Sequence, residues 1–184
     1  SADVKFILDR IENGNFPINI IDIIDLDNVG IFGHSFGGAT SIYSSYSDNR
    51  IDACINLDGW MVVVPENIID EGINQDFMYI GQLQWDDKLN YKKLDKFIQS
   101  NKSASKILIP GTTHYDYSDT PHMSIAARLL KKSGTLKSKN LKSVLNELIV
   151  SFFDKNLKGE QINIPYYELS KKYKISIIAE EYID

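Results

Sequence analysis

The segment Gly33-His34-Ser35-Phe36-Gly37-Gly38, entered straight from the apolar run Val29-Gly30-Ile31-Phe32, constrains this chain more than any other stretch. Its G-x-S-x-G form fits a strand that turns abruptly into a helix, with the serine held at the turn in a strained backbone conformation. Glycines two places before and two places after the serine suit such a turn, because a Cβ there would crowd it. The pattern alone is weak, since any glycine-rich chain can produce it. Its surroundings add weight: a strand-like run precedes it, and Ala39, Ile42, Tyr43 and Tyr46 follow at helical spacing. The competing reading is a glycine-rich turn with an inert serine.

The rest of the chain alternates in the same manner. Val4, Ile7, Leu8 and Ile11 share one face of a helix over 3–13, ended by Asn13-Gly14-Asn15. Residues 17–27 are Ile/Asp-rich and read as a loop with a short helix or strand. Strands are expected at 28–33, 51–58, 76–82 and 106–110, and helices at 36–47, 87–100, 122–133 and 140–157. In the last helix Leu141, Val144, Leu145, Leu148, Ile149, Phe152 and Phe153 form a wide apolar stripe, stopped by Gly159. Short β-rich runs between amphipathic helices predict an α/β fold, a mostly parallel sheet covered on both faces in three layers. Residues 1–159 are read as one α/β portion and 160–184 as a separate tail, with 174–179 as an added strand.

Bulk properties exclude several classes. A length of 184 residues suits one domain, and 43% apolar with 24% charged residues is ordinary for a globular chain. A net charge of −5, with only scattered Lys and Arg, argues against nucleic acid as a partner. The single cysteine, Cys54, excludes an internal disulfide framework and sits in an apolar run as a small buried hydrophobe. No apolar stretch reaches the length of a membrane span. The chain opens Ser-Ala-Asp without a methionine, which reads as a cloning scar or as a cut from something longer and leaves localisation open.

A serine hydroxyl is a poor nucleophile at neutral pH; it needs a base within hydrogen-bond reach and a third group to orient that base. In parallel sheets such groups sit at the carboxyl ends of strands. Of the three histidines, His114 follows the strand 106–110 in Gly111-Thr112-Thr113-His114, where the base belongs. His34 adjoins the serine and reads as a packing residue pointing elsewhere; His122, after Pro121, reads as a surface or capping residue at a helix start. For the acid, Asp58 ends the strand 51–58, while Asp86 and Asp87 follow the next strand, the commoner place. Asp116 and Asp119 lie too close to His114 in sequence. An aspartate following Ile55-Asn56-Leu57 is costly to bury unpartnered, which favours Asp58; the Asp86-Asp87 pair reads more as a solvated loop or helix cap.

Taken together, Gly33-His-Ser-Phe-Gly-Gly-Ala-Thr40, Leu57-Asp58-Gly59-Trp60-Met61 and Gly111-Thr-Thr-His114, with Asp119 downstream, resemble the plasma and type II platelet-activating factor acetylhydrolase family over residues 3–159. The resemblance implies an α/β-hydrolase fold with Ser35 as nucleophile, Asp58 as acid and His114 as base, and the Phe36 backbone N–H as one oxyanion donor. It implies a serine ester hydrolase working through an acyl-enzyme on short-chain or phospholipid-like esters, with no metal or organic cofactor. Trp60 and Phe36 are expected to line the acyl pocket and Tyr115 to lie at the substrate site, although core packing suits Trp60 equally. The family carries further sequence before the region matched here, holding the first strands and the loop with the second oxyanion donor. The chain is therefore expected to lack the N-terminal strands of the fold and to expose the edge of strand 28–33. The tail strand, a second copy or the missing lobe would cover that edge. The rivals are a non-catalytic binding protein of this fold and a serine peptidase.

Overall fold

The computed structural model describes residues 2–15, 23–85, 87–123 and 133–183. Strands β1 (Val29–His34), β2 (Ile51–Leu57), β3 (Asp76–Gly81) and β4 (Ser103–Leu108) are parallel neighbours in that order. Each is joined to the next by a helical crossover: α2 (Phe36–Ser47), then α3 (Glu66–Glu71), then α4 (Lys88–Gln99). Parallel pairing requires such crossovers, because the chain must return to the starting end of the sheet before the next strand begins.

Alternation along the strands sorts their side chains onto two faces. Cys54 of β2, Phe77 and Tyr79 of β3 and Ala104 of β4 pack with Ala39 and Ile42 of α2, Ile68 and Ile69 of α3, and Leu94, Phe97 and Ile98 of α4. The other face presents Ala53, Ile55, Leu57, Met78, Ile80 and Ile107 to the long helix α6 (Ser138–Leu157), through Leu141, Val144, Leu145, Leu148 and Phe152. Helices therefore cover both faces of a mostly parallel sheet, as the alternation of the sequence implies.

Several boundaries differ from the sequence reading. β4 starts at Ser103 and ends at Leu108; Ile109 N still donates to Gly81 O at 2.9 Å, and Pro110 beyond it has no N–H to carry the ladder on. The helix α3 and the short 3₁₀ turn Met61–Val63 occupy a stretch to which the sequence pattern assigned no element. The helix expected over 122–133 falls mainly outside the described residues; a short helix α5 (Thr120–Met123) starts where Pro121 and His122 predicted a beginning. The segment 17–27 is described only from Ile23 onward.

The tail strand lies at Ile178–Ile183 (β5), not at 174–179. A helix, α7 (Tyr166–Tyr173), precedes it and ends on Lys174 in a left-handed conformation. Ile175, expected in the strand, is buried in the α6-side core beside Leu169. β5 pairs antiparallel with β4, so it covers the edge opposite β1. Among the described residues β1 pairs only with β2, and Phe32 on it is 55% exposed. At the N-terminus, helix α1 (Ala2–Glu12) buries none of its residues; Arg50 ties it to the start of β2 through Asp9 at 2.8 Å and Glu12 at 2.7 Å. Among the described residues no helix is long and apolar enough to cross a membrane.

Candidate active site

The carboxyl ends of β1, β2 and β4 meet at one place, and Ser35, Asp58 and His114 each sit just beyond one of them. Ser35 lies between β1 and α2 with φ 59° and ψ −120°, a region that residues with a Cβ rarely adopt. The turn is pinned on both sides. Ser35 N–H donates to Leu57 O of β2 at 3.1 Å, and Ser35 O accepts from Gly38 N at 3.0 Å and Trp60 N at 3.0 Å. Gly33 must be glycine because a Cβ there would run into the backbone of Gly37. Phe36 opens α2, so its N–H is among the first amides of a helix, which have no intrahelical acceptor.

Asp58 follows β2 with φ 45°, and its N–H donates to Ile80 O at 2.7 Å. It is fully buried. A buried carboxylate is stable only if hydrogen bonds replace its lost water, and five donors do so. Tyr79 Oη (3.2 Å), the Gln82 N–H (3.0 Å) and Trp85 Nε1 (3.0 Å) donate to Oδ1; Gln82 Nε2 (3.0 Å) and His114 Nδ1 (2.7 Å) reach Oδ2. Burial, and then the charge on Asp58, push the Tyr79 phenol well above its ordinary range, so it remains a donor.

His114 joins the other two residues. Since the Asp58 carboxylate only accepts, Nδ1 must carry the proton, leaving Nε2 to accept from Ser35 Oγ at 2.9 Å. The loop that carries His114 is held by Asp116, whose Oδ2 accepts from Thr113 N at 2.7 Å and Gly134 N at 2.7 Å while Oδ1 accepts from Ser133 Oγ at 2.6 Å. Asp116 anchors the base from below and does not touch its ring acceptor. Asp119 lies with Phe32, Tyr117 and Lys142 around a separate cavity. Asp87 caps α4 by accepting from Leu89 N at 2.9 Å, and Asp86 lies outside the described residues.

One expectation is overturned. His34 does not point away from the site: its Nε2–H donates to His114 O at 2.9 Å, and the two imidazole rings stack with centroids 4.5 Å apart. Alternation along β1 puts it there, because His34 ends the strand beside the loop that follows β4. Burial, and then the neighbouring His114, hold its imidazole below its ordinary value. Gln82 and Trp85, two of the ligands of Asp58, were not singled out in the sequence; an aromatic and an amide directly after a buried strand were the available signal.

The mouth is apolar. Phe36 is 62% exposed, Trp60 41% and Tyr115 44%, and the Tyr115 ring lies 5.8 Å from that of His114. A groove of about 170 Å³ runs from Phe36 along Ala39, Tyr43, Val63 and Pro65. Trp60 is not among its lining residues; its backbone N–H instead braces the Ser35 turn.

The family model for platelet-activating factor acetylhydrolase, isoform II, matches residues 7–168. The platelet-activating factor acetylhydrolase of Cavia porcellus is 31% identical over 157 residues, a match that covers 84% of this chain and 35% of that protein. That of Gallus gallus is 27% identical over 148 residues, covering 79% and 35%. A solved ferulic acid esterase from Streptomyces cinnamoneus superposes with a TM-score of 0.79 at 21% identity, over 96% of this chain and 53% of its own, and so shares the fold. The chain spans about a third of the length of the curated relatives it matches.

Proposed function

The chain belongs to the platelet-activating factor acetylhydrolase, isoform II, family, and from that premise we propose that it is the nucleophile-bearing part of a serine carboxyl-ester hydrolase. The observation that carries the reading is the unbroken run Ser35 Oγ–His114 Nε2 (2.9 Å) and His114 Nδ1–Asp58 Oδ2 (2.7 Å), with Ser35 on a strained turn.

Ser35 Oγ attacks the ester carbonyl carbon while His114 Nε2 takes its proton, forming a tetrahedral oxyanion. The Phe36 N–H donates to that oxyanion, in a place where a fixed dipole is worth more than in water. The imidazolium, balanced by Asp58, returns the proton to the departing alcohol and leaves an acyl-serine. Water, deprotonated by the same His114, then releases the acid. The apolar groove that starts at Phe36 suits the acyl group of a short-chain or phospholipid-like ester, and the part-exposed Trp60 and Tyr115, which do not line that groove, are assigned to the rest of the substrate. No step calls for a metal or an organic cofactor. The open edge of β1 is paired in the working enzyme by a strand from a further portion of the protein, in keeping with the share of the relatives' length that this chain spans.

A fluorophosphonate probe tests the reading. Covalent labelling at Ser35, mapped by mass spectrometry and absent in Ser35→Ala, is expected of an activated nucleophile; an unlabelled protein would favour a non-catalytic binding role. Turnover of p-nitrophenyl acetate or butyrate without cleavage of peptide anilides separates the esterase from a peptidase of the same fold.

A further inference from the structure

Of the five donors on Asp58, only His114 belongs to the reaction proposed above. Two of the others are side chains from the segment that follows β3. Trp85 acts twice: its Nε1–H donates to Asp58 Oδ1 at 3.0 Å, and its ring meets the His114 imidazole edge-on with centroids 4.9 Å apart. Gln82 Nε2–H donates to Oδ2 at 3.0 Å, the same oxygen that receives His114 Nδ1. In the sequence this segment offered rival acids, Asp86 and Asp87. In the fold its Gln82 and Trp85 grip the acid supplied by β2.

A carboxylate has one negative charge to distribute among its donors. Each further N–H withdraws some of it and makes the carboxylate a weaker partner for the imidazolium. A donor on Oδ2 competes with His114 directly, and a donor on Oδ1 does so through the shared charge. We infer that Gln82 and Trp85 are positioning residues: they lock the Asp58 rotamer and, through Asp58, set how strongly His114 holds its proton. The inference rests on the reading of His114 as the base. The other ionisable groups around the pair are His34 on β1, Tyr79 on β3, Tyr91 on α4, and Tyr115, Asp116 and Tyr117 in the His114 turn. Substituting Gln82 leaves all of them in place, whereas Trp85→Phe also removes an N–H that interacts with Tyr79.

The test uses Trp85→Phe, which keeps an aromatic ring and removes the N–H, and Gln82→Met, which keeps the length and removes the amide. The imidazole of His114 is titrated by NMR in the full chain. Its midpoint is expected to rise relative to wild type by about 0.3–1 pH unit in each variant and further in the double variant. The acid limb of kcat/KM for p-nitrophenyl butyrate should move by the same amount, so that activity falls more at pH 6 than at pH 8. A merely structural role would lower activity equally at both. Midpoints unchanged or lowered in both variants, with native circular dichroism, overturn the inference; should Trp85→Phe fail to fold, half-buried Gln82 decides it alone. The titration requires no turnover. A wild type that the fluorophosphonate probe leaves unlabelled at Ser35, but whose His114 still responds to these variants, sinks the hydrolase reading and leaves this one standing.

Discussion

At the scale of single residues, the chemistry rests on groups that would each be ordinary elsewhere. In the proposed mechanism they become useful because the serine proton can pass to the imidazole of His114 while the Asp58 carboxylate holds the ring and balances its charge. Ser35→Ala, His114→Ala and Asp58→Asn should each lower esterase activity of the complete protein by at least a factor of about 10³, with Asp58→Asn the mildest. Combining them should cost little more, because they act as a unit; steady-state kinetics of the single and triple variants measure this. Asp58→Asn near wild type with Asp87→Asn inactive would reassign the acid.

His34 makes a second residue-level case. Its imidazole is held below the ordinary value near 6.5, so the folded state resists protonation that the unfolded chain accepts. His34 therefore contributes stability above about pH 6.5 that is lost as pH falls through its folded value. His34→Gln keeps a donor for His114 O and has nothing to titrate. Chemical denaturation at pH 7.5 and 5.5 should show a smaller loss of stability in the variant than in wild type.

At the scale of elements, the site depends on how tightly the turns after β1 and β2 are wedged together. Asn56, fully buried on β2, packs against Gly59, and a Cβ on Gly59 would overlap the Asn56 amide. The next residue, Trp60, donates the amide that braces Ser35. Gly59→Ala is therefore expected to cost about 1–3 kcal/mol in denaturant unfolding and to reduce turnover more than binding. Adding Asn56→Ala should recover part of the stability by opening the space. Recovery of nothing would show that the glycine is needed for a reason other than that contact.

On the scale of the whole molecule, the two edges of the sheet differ. β5 covers β4 with an antiparallel ladder over six residue pairs, whereas β1 carries an apolar, half-open face with Phe32 outward. An edge of that kind pairs with whatever strand is offered. On the proposal that a further portion of the protein pairs with β1 and supplies the second oxyanion donor, sedimentation of the isolated 184-residue chain should show concentration-dependent association and its turnover should be weak, since loss of one such donor costs about 10²–10³ in kcat. A monomer with full activity on p-nitrophenyl butyrate would contradict the proposal that a further portion of the protein completes the site.

Much of this was legible in the residues themselves, because the relevant signals are local. The 36–47 helix, the alternation of strands with amphipathic helices, and the apolar stripe of α6 follow from spacing alone, and spacing is what burial of one face demands. Ser35, Asp58 and His114 were nameable because each ends or follows an apolar run, and strand ends in a parallel sheet gather on one side. What the chain could not show in one dimension was which side chains meet across strands. His34, Gln82 and Trp85 became part of the site only when β1, β3 and the loop after β4 were laid side by side. The tail illustrates the same limit. Its β propensity was visible, but Leu169 and Ile175 are buried in the α6-side core, and that placement goes with a strand that begins only at Ile178 and lies on β4. Local preference selects the kind of element, and the competition for buried surface decides where it goes.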